Sequence, residues 1–427
     1  MALITKAPRG TLDKLPGDVL KCRTVEENAL RTAESYGFKE IRTPVFEHTA
    51  LFQRSVGDTT DIVQKEMYTF DDKKGRSLTL KPEGTACAAR AAIENGLFNE
   101  ALPQKLCYIT NCYRYEAPQS GRYREFSQFG AEVYGADTPL CDAELIALAY
   151  DVFTELEIPA SAYTIEINSI GCPECRVEYQ NSLKKHYEQF ESRLCKDCLE
   201  RLERNPMRLI DCKNPGCGEF KKDAPLILDY NCGKCSEFFG AFKSGLDLLE
   251  IPYVVNSKIV RGLDYYTNTV FEFVAKNGLV FGAGGRYNGL IAQLGASQTP
   301  ASGFALGVER LVSVVDEFGV SGFKAANTPD IYIAALGDRA ASFSLKLARD
   351  LRLPVNGGLW AECDIVGRSV KAQMRFADKI GAKFSMVIGE NELDAGVAVL
   401  KDMESKEMRD VALNDLQAIL SNLRKSK

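Results

Sequence analysis

Two histidines, His48 and His186, are all that this 427-residue chain contains. That scarcity excludes a histidine-based catalytic triad and a multi-histidine metal site. Acid–base and electrostatic work therefore falls to carboxylates, arginines, lysines or the substrate itself. No apolar run approaches the ~20 residues of a membrane span, and the opening MALITKAPRG lacks the apolar stretch of a secretory signal. A cytoplasmic location with no membrane partner is expected. The formal net charge of −5 excludes a uniformly basic nucleic-acid binder but leaves room for a local basic surface. Walker A sequences, strand-borne G-x-G-x-x-G, internal repeats and low-complexity segments are all missing.

What is present is ordinary for a soluble enzyme: 45% hydrophobic and 26% charged residues. The length predicts roughly three domains. Residues 21–37 place Val25, Ala29, Leu30, Ala33 and Tyr36 on one helical stripe that stops at Gly37. FKEIRTPVFE reads as an edge strand because it alternates and carries Pro44. Two strands flank the DDKKGR turn, and KPEGTACAARAAIENG turns helical. VVNSKIVRGLDYYTNTVFEFVA reads as strand-rich, and GLVFGAGGRYNGLIAQLG as a strand, a glycine turn and a helix. Hairpins and wide returns outnumber βαβ crossovers, which predicts an α+β domain with an antiparallel sheet. From about Asp330 strands alternate with helices, as in a small α/β domain with a partly parallel sheet. The predicted limits are 1–170 and 251–324 for the first domain, 171–250 for a cysteine-rich insertion and 329–427 for the last.

Eight of the fourteen cysteines lie between Cys172 and Cys235. They form the pairs Cys172/Cys175, Cys195/Cys198, Cys212/Cys217 and Cys232/Cys235. Three have the C-x₂-C spacing that lets two thiolates reach one tetrahedral zinc. In a reducing compartment such clustering favours metal over disulfides. Two Cys₄ sites, or one site with spare thiols, would satisfy the count, and buried reduced cysteine is the plain alternative.

In the stretch RYEAPQSGRYREFSQFGAE, Arg114 to Glu132, the loop EAPQSGR joins two strands, and from Tyr123 onward the residues alternate in the manner of a strand. Its even positions carry Arg124, Phe126, Gln128, Gly130 and Glu132, a face suited to a small molecule. Its odd positions become apolar towards the end. With PRGTLDKLP (8–16), LKPEGTA (80–86), RGLDYYTNTVFEF (261–273), GAGGRYNGL (282–290), GFALGVER (303–310) and GRSVKAQMRFADKIGA (367–382), this stretch makes the chain resemble histidyl-tRNA synthetases. These are class II aminoacyl-tRNA synthetases. The likeness spans essentially the whole chain, with the pieces in the family's order.

The resemblance implies a class II catalytic domain, a C-terminal anticodon-binding domain and a histidine–tRNA ligase. Such an enzyme activates L-histidine with ATP and Mg²⁺, then transfers it to the 3′ end of histidine tRNA. Arg114 would hold the α-phosphate, Arg122 and Arg310 the outer phosphates. Glu116 would take the adenine amino group and Phe126 stack on the ring. Arg261, with Arg114, would stabilise charge near the substrate carboxylate. Glu83, Thr85 and Gln128 match the family's amino-group contacts. Glu132 and Tyr266 match its imidazole contacts, with Tyr265 beside them. If the two tyrosines are strand neighbours, one of them only packs. Gln119 would read the tRNA acceptor end, where Ala117 and Ser120 replace the family's frequent basic residues. Lys81 stands where arginine is common. A homodimer through residues 8–47 is implied. Arg368, Lys371, Arg375 and Lys379 form a basic helical face in the last domain. The alternative is a non-charging, histidine-binding regulatory subunit of ATP phosphoribosyltransferase. Such paralogues lose RGLDYY integrity and the C-terminal domain, both of which this chain keeps.

Overall fold

Short strands interrupted by helices make up residues 39–307: β1 (Lys39–Glu40), β2 (Phe46–His48), β3 (Tyr68–Asp71), β4 (Ser77–Leu80), β5 (Gln104–Tyr113), β6 (Glu125–Tyr134), β7 (Tyr163–Ser169), β8 (Val254–Val255), β9 (Thr267–Ala275), β10 (Val280–Arg286) and β11 (Ala301–Gly307). The computed structural model describes residues 5–425 apart from 58–59, 119–120, 213, 319–322, 324–327 and 357. It divides into two compact units, Met1–Lys324 and Ala325–Lys427.

Eight strands of the first unit form one sheet in the order β1-β5-β6-β11-β10-β9-β7-β8, and β2-β4-β3 form a smaller one. The large sheet is antiparallel from β5 to β7, with parallel pairing only where β1 and β8 join its edges. One face is covered by the helices Pro16–Ser35, Pro139–Glu155 and Val308–Glu317. Val25, Leu148, Phe153, Leu311 and Val315 from those helices pack on Phe129, Ala131, Val133, Phe271 and Phe304 from the strands. The odd positions of β6 therefore face the core, as their apolar character predicted, and the even positions face the other way.

Three local readings need correction. FKEIRTPVFE is not one edge strand: Pro44 separates β1, in the large sheet, from β2, in the small one. The segment before β9 is mostly irregular, and Tyr265 and Tyr266 precede the strand. The glycines of GAGGR lie inside β10, followed by only one helical turn, Leu290–Gln293. They are there for close approach: a Cβ on Gly284 would meet Phe304 Cβ at 2.5 Å and overlap the Gly303 carbonyl.

The same run ends in a fully buried arginine. Arg286 donates to both Asp142 oxygens, Nε at 3.1 Å and Nη2 at 2.7 Å, and to the carbonyls of Ala136 and Thr138 at 2.9 Å each. It ties β10 to the start of the Pro139–Glu155 helix, a role that the motif's glycine-turn reading did not anticipate.

Residues 171–250 hold the helices Pro173–Glu188, Lys196–Arg204 and Gly233–Leu248 with short 3₁₀ turns between. Tyr179, Leu183, Tyr187, Leu202, Leu209 and Phe220 are buried together there. Phe242 and Leu246 of the last helix instead join the main core.

In the second unit, β12 (Ile331–Ala335), β13 (Ala361–Cys363), β14 (Phe384–Ile388), β15 (Val397–Asp402) and β16 (Met408–Ala412) lie in the order β13-β12-β14-β15-β16. The first three are parallel, and β15–β16 is an antiparallel hairpin that the sequence reading passed over. Arg368 precedes the helix Val370–Lys379. Its guanidinium pairs with Asp364 at 3.3 Å and covers the Phe376 ring at 4.3 Å, so it is not part of a free basic face.

Removing one partner of a buried ion pair strands the other charge. Asp142→Ala is expected to lower unfolding stability by about 3–5 kcal/mol. Urea denaturation would check this, and a loss under about 1 kcal/mol would show that Arg286 is held by its carbonyl contacts alone.

Candidate active site

The even face of β6, the ends of β10 and β11, the start of the Thr85–Glu94 helix and the loop before β9 enclose one cleft of about 950 Å³, counted to its open mouth. Arg114, Glu116, Arg122, Phe126, Gln128, Arg261, Tyr265, Tyr266, Arg310, Glu83 and Thr85 all line it. Gly282, Ala283 and Ala305 supply a floor without bulk. Glu132 does not line the cleft; it is fully buried one layer behind Thr85. Gln119 lies outside the described residues.

The outer end is cationic. Arg310 is anchored by carbonyls, Nε to Gly121 O and Nη1 to Val280 O, both at 2.7 Å. Burial and repulsion from Arg122 and Arg114 lower its pKa. Arg122 reaches Glu116 at 3.5 Å and Arg114 reaches it at 4.0 Å. Arg114 Nε donates to Pro82 O at 2.8 Å, and its guanidinium lies 5.3 Å from the Phe126 ring centroid. Two guanidiniums thus reach one carboxylate and a third lies near enough to be repelled by them, an arrangement that a polyanion would relieve. Lys81, in the place of a common arginine, is buried and donates to Thr43 O and Oγ1 at 3.2 Å, so it does not join this group.

Arg261 sits further in, with a left-handed backbone, φ 54°. Its guanidinium pairs with Glu272 of β9 and lies 5.6 Å from the Tyr266 ring centroid. Burial pulls its pKa down, but Glu272 and Tyr266 outweigh that and raise it. Its Nε is buried without a partner. Glu272 was not anticipated; it stands in the quoted FEF and is recognisable only once β9 is aligned with the loop.

The inner end is a hydroxyl cage. Glu132 Oε1 accepts from Thr85 Oγ1 at 2.7 Å and Tyr108 OH at 2.8 Å, and Oε2 accepts from Tyr287 OH. Tyr265 lies 4.8 Å from Tyr266 and 5.4 Å from Tyr287 by ring centroids. Both tyrosines of the pair line the cleft, which corrects the strand-based expectation that one only packs; neither lies in a strand. Glu132, Gly303 and Gly285 are register partners across β6, β11 and β10. A Cβ on Gly303 would overlap the Glu132 carboxyl, so glycine is required there. Burial, with a smaller contribution from Glu83, pushes Glu132 up to about 8 although the three hydroxyls oppose it. Glu83 itself accepts from Thr85 N at 2.7 Å and Ala86 N at 2.9 Å, capping the helix that presents Thr85. Gln128 Oε1 accepts from Cys112 Sγ at 3.2 Å.

The cysteines form two groups, Cys172–Cys175–Cys232–Cys235 and Cys195–Cys198–Cys212–Cys217, each with all sulfurs within 4.8 Å of one another. The pairing is nested, first with fourth and second with third. Sulfur spacings of 3.4 Å (Cys172–Cys175) and 3.9 Å (Cys175–Cys235, Cys195–Cys212) approach the ~3.8 Å edge of a tetrahedron with 2.3 Å zinc–sulfur bonds. Backbone N–H groups of Cys232, Cys195 and Asn214 point at Cys175, Cys217 and Cys212 sulfurs at 3.1, 3.3 and 3.4 Å, as thiolates require.

Comparison with known proteins places the chain among relatives of one family. A family model described as "Histidyl-tRNA synthetase" matches residues 10–173 and 238–311, and one described as "Anticodon binding domain" matches 330–423. The "Histidine--tRNA ligase" of Clostridium novyi (strain NT) is 52% identical over 98% of this chain and 99% of its own. That of Acetivibrio thermocellus is 49% identical over 97% and 99%. The crystal structure of apo S. aureus histidyl-tRNA synthetase superposes with TM-score 0.82 at 36% identity, covering 98% of this chain and all of that one. A Bacillus halodurans C structure described as an ATP phosphoribosyltransferase regulatory subunit/histidyl-tRNA synthetase shares the fold at TM-score 0.64 and 21% identity, covering 91% and 99%.

Glu132 keeps its proton in the folded chain up to about pH 8, whereas an unfolded glutamate has lost it above about pH 4.3. Across that window rising pH favours the unfolded state. Relative to Glu132→Gln, the wild type should lose about 1.4 kcal/mol of stability per pH unit between roughly pH 5 and 8. Denaturant titrations of both proteins at several pH values would show it, and a pH-independent difference would contradict the buried neutral acid.

Proposed function

The chain belongs to the histidyl-tRNA synthetase family, and from that premise we infer that it is a histidine–tRNA ligase. It forms histidyl-adenylate from L-histidine and ATP, then charges histidine tRNA. The observation that carries this reading is one cleft with three neighbouring guanidiniums at its outer end and, behind Thr85 at its inner end, a buried hydroxyl-caged carboxyl. Full-length relatives at about half identity favour it over the regulatory paralogue.

ATP enters as its Mg²⁺ complex, with the polyphosphate at Arg122 and Arg310, the α-phosphate at Arg114 and the adenine between Phe126 and Glu116. Two anions must then meet, the substrate carboxylate and the α-phosphate. Arg114 and Arg261 lower that repulsion with charges already in place before the reaction. The α-ammonium is received by Glu83, Thr85 and Gln128, and the imidazole by Tyr266 and Glu132 once the hydroxyls around Glu132 yield. A site that hydrogen-bonds the ring nitrogens rejects apolar side chains by ~10⁴-fold, since its own polar groups would go unpaired. No protein histidine is placed in the cleft, so the ribose proton of the tRNA passes to the adenylate's phosphate oxygen.

We assign 1–170 and 251–324 to catalysis, 171–250 to the cysteine-rich insertion and 329–427 to anticodon binding. No helix of the described residues is long and apolar enough to cross a membrane, and a translation enzyme works in the cytoplasm, where we place it. Leu12, Leu15, Val45 and Phe46 are 47–64% exposed within the span expected to dimerise, which supports an isologous homodimer. The sulfur spacing and N–H contacts of the two thiol clusters fit structural zinc, which would hold the insertion together without entering the chemistry.

Histidine-dependent ATP–pyrophosphate exchange is the expected activity of the wild type. In the Arg261→Ala variant it should fall ~10²–10³-fold with ATP binding nearly intact, as for other lost transition-state donors; near-normal exchange would refute the assignment. Metal analysis after chelator washing should find about two zinc ions per chain, and about one in Cys198→Ser. Under half an equivalent in the wild type would remove zinc from the account.

A further inference from the structure

The loop that carries Arg261 precedes the strand ladder and is held mainly by side chains, with one backbone contact. Asn168 Nδ2 donates to Ile259 O at 3.0 Å, and Asp264 N donates to Val56 O at 3.1 Å. Two more loop carbonyls are taken by arginines of the cysteine-rich segment: Arg208 Nη2 donates to Gly262 O at 2.8 Å, and Arg176 Nη1 to Tyr266 O at 3.1 Å. Arg208 is 8% exposed and also pairs with Asp264 Oδ1 at 3.0 Å, an oxygen that Asn205 Nδ2 shares at 3.2 Å.

These contacts bracket Arg261, whose left-handed backbone is uncommon for a residue with a side chain and persists only where surroundings over-determine it. The two arginines belong to segments that carry different thiol clusters. Arg176 follows Cys175 directly, and Arg208 lies between Cys198 and Cys212. The first cluster also touches β9 itself, because Cys235 Sγ lies 3.5 Å from Asn268 Oδ1.

We propose that Arg208 and Arg176 are positioning residues for adenylation. They fix the loop conformation in which Arg261 faces the cleft, and so make the folded state of both thiol clusters a condition for that geometry. The proposal rests on the role given to Arg261 above. One terminal nitrogen, Nη2 of Arg208, meets the Gly262 carbonyl and the Asp264 carboxylate at once, so a lysine keeps a donor there but loses the rigid planar group that carries it.

The test is single-turnover adenylate formation and pyrophosphate exchange by the full-length chain carrying Arg208→Ala, Arg208→Lys, Arg261→Ala and the double variant Arg208→Ala/Arg261→Ala. Arg208→Ala is expected to lower kcat about ten- to a hundredfold, the scale of a small misplacement of a catalytic group. KM for ATP and histidine should stay within about threefold. In the Arg261→Ala background the further loss should be under about threefold, since the two substitutions remove one effect. If Arg208→Ala does not fold, Arg208→Lys carries the test: it should lower kcat with KM within about threefold, and cost under about threefold more in the Arg261→Ala background. Multiplying losses in the double variant, or a KM change at unchanged kcat, would overturn the proposal. A wild type without histidine-dependent exchange would overturn the reading of Arg261 beneath it.

Discussion

A carboxyl group buried beside three hydroxyls, with no cation in contact, sets the terms for the rest of this molecule. Glu132 is reached by Thr85 from a helix start, Tyr108 from β5 and Tyr287 from the end of β10. For these to meet, β11 must leave a side-chain-free gap beside β6, and Gly303 provides it in register with Glu132. The helix start must be held too, and Glu83 caps it from within the cleft. Desolvation keeps Glu132 neutral, because the three hydroxyls compensate a buried charge only in part. The sheet order, the glycine pattern and the helix cap are thus three solutions to one burial problem.

The opposite end of the cleft is arranged by the reverse logic. Charges there are not neutralised by protonation, since guanidiniums keep theirs. They are anchored instead: Arg310 on two carbonyls, Arg114 on one, Arg261 on Glu272. Each anchor leaves other N–H groups for an incoming anion. Burial first, and then repulsion from Arg122 and Arg114, lower the Arg310 pKa, and a bound polyphosphate would relieve the repulsion. Preorganisation of this kind needs a stiff frame. The buried Arg286–Asp142 pair supplies part of it by clamping β10 to the helix that covers the sheet.

Much of this was legible because a strand has a period of two. In β6 the alternation separates Phe129, Ala131 and Val133, in the core, from Phe126 and Gln128, in the cleft. The same rule misled at Tyr265 and Tyr266, which look like strand neighbours but precede β9, so both rings face the cleft. GAGGR suggested a turn because glycine allows one; in the fold the glycines answer a packing demand from β11 that lies outside the segment itself. Arg286 and Glu272 could not be told apart from surface residues without knowing what lies opposite. The thiol pairs were visible from spacing, but their nested partnership depends on where helix Gly233–Leu248 returns the chain. The β15–β16 hairpin was passed over, and its register shows only in the folded unit.

The two ends of the cleft also explain why an imidazole suits the inner one. A free imidazole has a pKa of about 6.5 and is neutral near pH 7, and so is Glu132, whose pKa is raised to about 8. Between them they carry one dissociable proton to share. Acid with imidazole, or carboxylate with imidazolium, has the same zero net charge, so entry of the ring brings no uncompensated charge into the interior. A lysine or arginine side chain would bring one extra charge and force Glu132 to ionise. An aliphatic side chain would bring no polar atom and leave the displaced hydroxyls of Thr85 and Tyr287 without partners. Discrimination at this end therefore follows from proton count and hydrogen-bond count together, while the cationic end handles the negative charge common to every amino-acid carboxylate and its nucleotide.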